Sequence, residues 1–290
     1  MNSQIVIGTA SFVDEIRVRL ECELNFLSDE QDIVYFEERE NPPWLFFIVG
    51  VTRCGKQGER RFACRFAVAK AVSDLFISQL ETNFVKDYIE KTYHYCSPQD
   101  RFEIATSTLE TLDKLKIIRR NRVLQSVYDY LVEYRTINIE GFAKFRLRGY
   151  RTQLERIVER TGEELLAAKD YIEFVRLLRC FVELQEPKID EAHIFITPEG
   201  AFFICDKNGY VIRKEHIHTP SFSVTEGEFN YKDYLLSMLI TLVPEIIIFH
   251  VSDHIWECDP LRTVQQVFEE RVMRCPGCER CRHLYHSKKK

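Results

Sequence analysis

From Ser97 to Glu186 the chain carries helical patterning and little else, and this block constrains what the flanking segments can become. Ser97-Pro98-Gln99-Asp100 reads as a helix start. The serine can cap, the proline fits a first turn that needs no amide donor, and the aspartate can reach back to the cap. Breaks are predicted near Thr136–Asn138 and at Thr161-Gly162, and Pro187 ends the block. Its last helix, about Glu163 to Gln185, is apolar on more than one side (Leu165, Tyr171, Ile172, Phe174, Leu177, Phe181). Such a helix is predicted to be largely surrounded by protein.

Both flanks mix strands and helices. Ahead of the block come a strand at Gln4–Gly8, an amphipathic helix over Phe12–Phe26, and two strands, Ile33–Phe36 and Trp44–Val51. Asn41-Pro42-Pro43 separates the two strands, and a long helix follows from near Arg61. Behind the block a three-strand meander is predicted: Ala192–Thr197, Ala201–Cys205 and Tyr210–Arg213. Asn208-Gly209 supplies a hairpin turn, because both residue types tolerate positive φ. Helix Tyr231–Val243, buried strand Ile246–Val251, helix Pro260–Glu269 and strand Arg271–Met273 complete the series. The fold class is therefore α+β: an N-terminal α/β segment, a central helical block, then a C-terminal strand meander followed by alternating helix and strand, ending in a Cys-rich tail. As regions these are 1–96, 97–186, 187–274 and 275–290.

Hydrophobic residues at 45% and charged residues at 29% suit a chain with a substantial core. A net charge of −5 gives the molecule as a whole no attraction for nucleic acid or anionic membrane. The longest apolar stretch, Leu235 to Val251, is interrupted by Pro244 and Glu245 and falls short of the roughly 20 residues of a spanning helix, so no membrane insertion is expected. Asp14, Glu15 and Arg17 follow the first apolar run too soon for a signal peptide. Cys22, Cys54, Cys64, Cys96, Cys180 and Cys205 are scattered among apolar neighbours, as core thiols are, rather than arranged as a disulfide framework. The expected compartment is the reducing cytoplasm.

The tail reads Cys275-Pro276-Gly277-Cys278-Glu279-Arg280-Cys281-Arg282-His283-Leu284-Tyr285-His286. A tight turn between thiols in C-x-x-C aims both at one ion, and Pro-Gly suits that turn. Neighbouring Arg274, Arg280 and Arg282 favour the thiolate, which is the ligating form. Cys275, Cys278, Cys281 and His283 are the candidate ligands, with His286 and Cys258 as further donors. Nearby histidines favour zinc; three cysteines in this spacing also match part of a 4Fe–4S motif.

Other constellations carry less. His250, His254 and Cys258 would share a face only on a helix, and the segment reads as strand end and loop, so these histidines are expected to be buried or hydrogen-bonded. Gly50 to Lys56 nearly spells a phosphate-binding loop, but Gln57 stands where Ser or Thr must hold magnesium. Lys144, Arg148 and Arg151 could contact phosphates, although the stripe runs on into Glu155 and Glu159 as a salt-bridged face would. The element order from Glu163 to Val251 matches the core of restriction-type nucleases. The carboxylates and lysine of such a site are missing: Asp206 and Lys207 are adjacent and point to opposite faces, and the next strand offers Arg213-Lys214-Glu215.

Gly141 to Tyr150, Tyr171 to Arg179, Phe181 to Pro187, Tyr231 to Val251 and the cysteines at 275, 278 and 281 together resemble the YtxC-like family of sporulation proteins from endospore-forming Firmicutes. The resemblance covers about residues 100–281. It implies a spore-former's cytoplasm as setting and carries over no catalytic residue. The expected function is a sporulation-associated, non-enzymatic protein with a metal-binding tail and an unknown protein partner. The alternative is a metal-dependent nucleic-acid-binding or nuclease-like enzyme.

Overall fold

The computed structural model describes residues 4–27, 34–51, 57–196, 202–212, 231–251, 256 and 259–281. The chain forms two compact units, Met1–Leu166 and Ala167–Lys290.

In the first unit, strands β1 (Ile5–Thr9), β2 (Val34–Asn41), β3 (Trp44–Val51) and β4 (Thr136–Asn138) make one sheet in the order β2-β3-β1-β4. β3 runs antiparallel to both β1 and β2, and β4 joins the other edge of β1 in parallel, Ile7 lying beside Ile137. Helix α1 (Val13–Asn25) buries Ile16, Leu20 and Leu24 on one stripe. Helix α2 (Gln57–Leu75) contributes Cys64, Val68, Val72 and Leu75 to the same core, and its small residues Ala67 and Ala71 allow close helix approach. A π-helical turn, Phe76–Leu80, leads into α3 (Glu81–Thr92).

Helix α4 (Pro98–Lys114) starts as its sequence predicts: the Ser97 hydroxyl accepts from the Asp100 amide at 3.1 Å, and the Asp100 carboxylate accepts from the Ser97 amide at 3.2 Å. Helix α5 (Lys116–Glu133) lays Val123, Val127 and Leu131 against α2. The break predicted at Thr136–Asn138 is β4 itself. Asn138 then caps α6 (Ile139–Phe145) by accepting from the Gly141 amide at 2.6 Å.

The other predicted break is absent, because helix α7 (Arg148–Glu183) runs straight through Thr161-Gly162. Gly162 serves packing here: a Cβ would collide with the Tyr93 ring. One buried ionic group stands out in this unit. The Arg119 guanidinium bonds the Glu81 carboxylate, the Tyr150 hydroxyl at 3.0 Å and the Leu112 carbonyl at 2.6 Å, while Tyr150 donates to Glu81.

In the second unit, β5 (Ile189–Ile196), β6 (Phe202–Cys205), β7 (Pro244–His250) and β8 (Val272–Arg274) form a sheet in the order β6-β5-β7-β8. β6 is antiparallel to β5; β7 is parallel to both β5 and β8. Strand alternation sends Ala192, Ile194, Ile196, Ile204, Ile247 and Phe249 to one face. There they meet Leu235, Met238 and Leu239 of α8 (Tyr231–Leu242), Leu261, Val264 and Phe268 of α9 (Asp259–Phe268), and Val175 and Val182 of α7. The opposite face carries Glu191, His193, Phe195, Phe203, Cys205, Ile248 and His250. Phe195, Cys205 and His250 are buried yet lie outside that apolar cluster.

Two predictions for this unit are revised. Among the described residues the third meander strand shrinks to one bridge, Cys205 to Val211, because the Asp206 carboxylate takes the Asn208 and Tyr210 amides at 2.9 and 2.8 Å; Arg213 lies outside them. Among the described residues the second half of α7 is not surrounded by protein: Ile172, Phe174, Leu177 and Phe181 are exposed, as is Leu184 just past its end.

Candidate metal centre

The short parallel pairing of β8 with β7 places the first candidate ligand. Ile247, Ile248 and Phe249 lie beside Val272, Met273 and Arg274. One step further along the same register, Cys275 arrives next to His250, and its amide donates to the Phe249 carbonyl at 3.0 Å. The chain then turns through Pro276 and Gly277. Gly277 takes φ +112, and its amide donates to Cys275 Sγ at 3.4 Å, as amides around a thiolate do. That reversal brings Cys278 back over the sheet, and a helical turn from Glu279 brings Cys281 onto the same point.

The donor atoms of His250, Cys275, Cys278 and Cys281 all lie within 4.8 Å of one another. Cys281 Sγ is 3.7 Å from Cys278 Sγ and 3.8 Å from Cys275 Sγ. His250 Nδ1 is 3.2 Å from Cys281 Sγ and 3.5 Å from Cys278 Sγ. The Phe195 ring, its neighbour across the strands, stacks on the imidazole with centroids 4.0 Å apart and planes within 9°.

The electrostatics of these groups suit a cation. Burial above all, with His193 and Arg280 close by, holds the His250 imidazole down at about 4, so at neutral pH it has a lone pair to give. Burial pushes the Cys278 thiol up, but hydrogen bonds from Cys281, Cys275 and the Arg280 backbone together outweigh it and leave Cys278 below the ordinary thiol range. Cys281 is pushed up to about 12 by burial and by its hydrogen bonds and repulsion with Cys278 and Cys275. Three thiols this close cannot all ionise by themselves; a positive charge at their centre would relieve the repulsion.

Of the residues singled out from sequence, Cys275, Cys278 and Cys281 converge. His283, His286, Cys258 and His254 lie outside the described residues, as does most of the Gly50–Gln57 segment. His250 is buried and hydrogen-bonded, as expected of it, and is also the fourth member of the group. Its membership depends on β8 pairing with β7, which spacing along the chain does not reveal. The one local clue is phase: Ile247 and Phe249 face the core, so His250 faces away.

The basic residues are dispersed. Lys144 lies in the last turn of α6 and is exposed, whereas Arg148 opens α7 and is exposed too. The Arg151 guanidinium lies over the Phe84 ring, 4.6 Å from its centroid. Lys144 and Arg151 line one groove together with Asp87 and Glu140, so positive charge does not dominate there. Among the described residues, no helix is long and apolar enough to cross a membrane.

Comparison with known proteins gives a family. The chain is similar to "Uncharacterized protein YtxC" of Bacillus subtilis (strain 168), with 25% identity over 210 residues, covering 69% of this chain and 73% of that protein. No solved structure matches it. The family model for the YtxC-like family matches residues 66–273. That span contains Glu191, His193 and His250 and stops two residues before Cys275. With most of its length matched in this way, the chain belongs to the YtxC-like family.

Proposed function

We propose that this is a non-enzymatic, sporulation-associated cytoplasmic protein in which His250, Cys275, Cys278 and Cys281 hold one structural zinc ion. The observation that carries the metal reading is the spacing of the donors. A tetrahedral ion with zinc–sulfur bonds of about 2.3 Å and a zinc–nitrogen bond of about 2.0 Å separates its sulfurs by about 3.8 Å, and sulfur from nitrogen by about 3.5 Å. Two of the three sulfur pairs here stand at 3.7 and 3.8 Å and two of the three nitrogen–sulfur pairs at 3.2 and 3.5 Å, with the remaining pairs within 4.8 Å. An iron–sulfur cluster binds each cysteine to its own iron and spreads the sulfurs further apart, so the spacing favours a single ion. Four protein donors leave no open position for substrate, the mark of a structural rather than a catalytic site. The bound ion would fasten the end of the chain to the outer face of the second sheet.

Elemental analysis of the full chain, purified without oxygen, tests this. About one zinc per chain is expected, lost in Cys278→Ser and in His250→Ala and kept in His283→Ala. Equal metal in wild type and Cys278→Ser would remove the reading. Loss in His283→Ala with retention in His250→Ala would move the fourth ligand to the tail. The setting rests on the family resemblance, and its test is spore yield after deletion of the gene in an endospore former. The nucleic-acid alternative draws less support, since acidic residues interrupt the basic ones; retention on heparin at low salt would revive it.

A further inference from the structure

We propose that Glu191 and His193 are positioning residues for the metal centre, forming a directed hydrogen-bond relay that holds the His250 imidazole in the one tautomer able to ligate. This rests on the metal reading of the site. His250 offers Nδ1 to the thiols, and its other nitrogen, Nε2, lies 3.0 Å from His193 Nδ1. His193 Nε2 lies in turn 3.1 Å from Glu191 Oε2. The three residues stand together because Glu191 and His193 alternate onto the same face of β5 that carries His250 on β7.

Two neutral imidazoles in contact can share a proton in either direction. In one arrangement His250 donates from Nε2 and leaves Nδ1 bare. In the other His193 donates from Nδ1, and His250 then carries its proton on Nδ1, where it would block the metal. Glu191 breaks this symmetry. A carboxylate only accepts, so His193 Nε2 must carry the proton. His193 Nδ1 is then the acceptor, and His250 must donate from Nε2. Both hydrogen bonds of the relay then run from His250 towards Glu191, and the Nδ1 lone pair points at the thiols. Outer partners of this type orient a ligating histidine and make it more basic, and their loss weakens metal binding about 10–100-fold.

The test uses cobalt(II) as probe, because a tetrahedral thiolate site gives it intense visible bands and a measurable affinity in competition with a chelator. The full chain is titrated as wild type, His193→Ala, Glu191→Gln and Glu191→Ala, with thermal unfolding of each metal-free protein measured alongside. The Glu191 side chain is 37% exposed, so its variants are expected to fold. Expected is a drop in cobalt affinity of about 10–100-fold in His193→Ala and Glu191→Ala, with one ion per chain and the tetrahedral spectrum retained. Glu191→Gln should fall between them and wild type, because an amide can accept or donate and restores the ambiguity. Affinity unchanged in all three variants, with wild type binding tetrahedrally, overturns the relay alone. Wild type taking up no cobalt overturns the metal reading and the relay with it.

Discussion

The guanidinium of Arg280 fills the space where a side chain on Gly209 would begin. A Cβ at Gly209 would lie 2.9 Å from Nη1 and 3.0 Å from Cζ, and closer still to Nη2. Gly209 also has φ +86, which disfavours any side chain independently. The hairpin turn after β6 and the loop that carries Cys278 and Cys281 are thus fitted to each other. Gly209→Ala is expected to cost about 1–2 kcal/mol of stability, part from backbone conformation and part from displacing Arg280. In a double-mutant cycle with Arg280→Ala, the second part should vanish and the first remain. Chemical denaturation of the four proteins measures it; strict additivity would show that the two residues do not meet.

Removing metal should loosen the second unit. A ligand that binds only the folded chain, present at 100 times its dissociation constant, adds about 2.7 kcal/mol. Thermal unfolding with added zinc and with a strong chelator should therefore differ in wild type. Cys278→Ser should unfold alike in both, at the lower temperature.

The buried thiol of Cys64 gives a dependence on alkaline pH. Burial pushes it up to about 11 from the ordinary 9.0. The unfolded chain gives up this proton near 9 while the folded chain keeps it to about 11. The associated stability is fully present below pH 9 and is lost as pH rises through 11, by an amount on the order of 2–3 kcal/mol. Urea denaturation between pH 8 and 11 should show that decline in wild type and a shallower one in Cys64→Ala.

Arg119 forms a direct ion pair with the buried Glu81 carboxylate, and the Arg119 side chain is itself only 10% exposed. Arg119→Met should leave that carboxylate buried beside the Tyr150 hydroxyl and cost about 3–5 kcal/mol. Adding Glu81→Gln should recover a substantial part, since no charge then remains to be solvated. Failure of the second substitution to help would show that Arg119 acts through packing alone.

How far the sequence can be read depends on the range of the interaction. Ser97, Pro98 and Asp100 act within one turn, and their capping was legible from four letters. The strands β5 and β7 were legible too, from short local runs of apolar residues. Gly162 was misread as a break because its partner, Tyr93, lies far away in sequence. The strand predicted at Tyr210 failed because Asp206 captures the amides that a ladder needs. The exposed face of α7 was misread because apolar content does not say which neighbours are present to cover it. At the candidate centre, the three cysteines announce themselves by spacing. His250 reaches them through a parallel strand pairing across the intervening α9, and such pairings leave no fixed interval in the sequence.

The two-sided sheet of the second unit has an evolutionary consequence. From Glu191 along β5, and across to β7, the core residues Ala192, Ile194, Ile196, Ile247 and Phe249 alternate with Glu191, His193, Phe195, Ile248 and His250, which lie on the other face of the sheet. Mutation can therefore rewrite one set while leaving the other intact. A lineage that lost His250 and the three cysteines would inherit the same layered architecture. An engineer could likewise graft different donors at positions 191, 193, 248 and 250 without disturbing the interior.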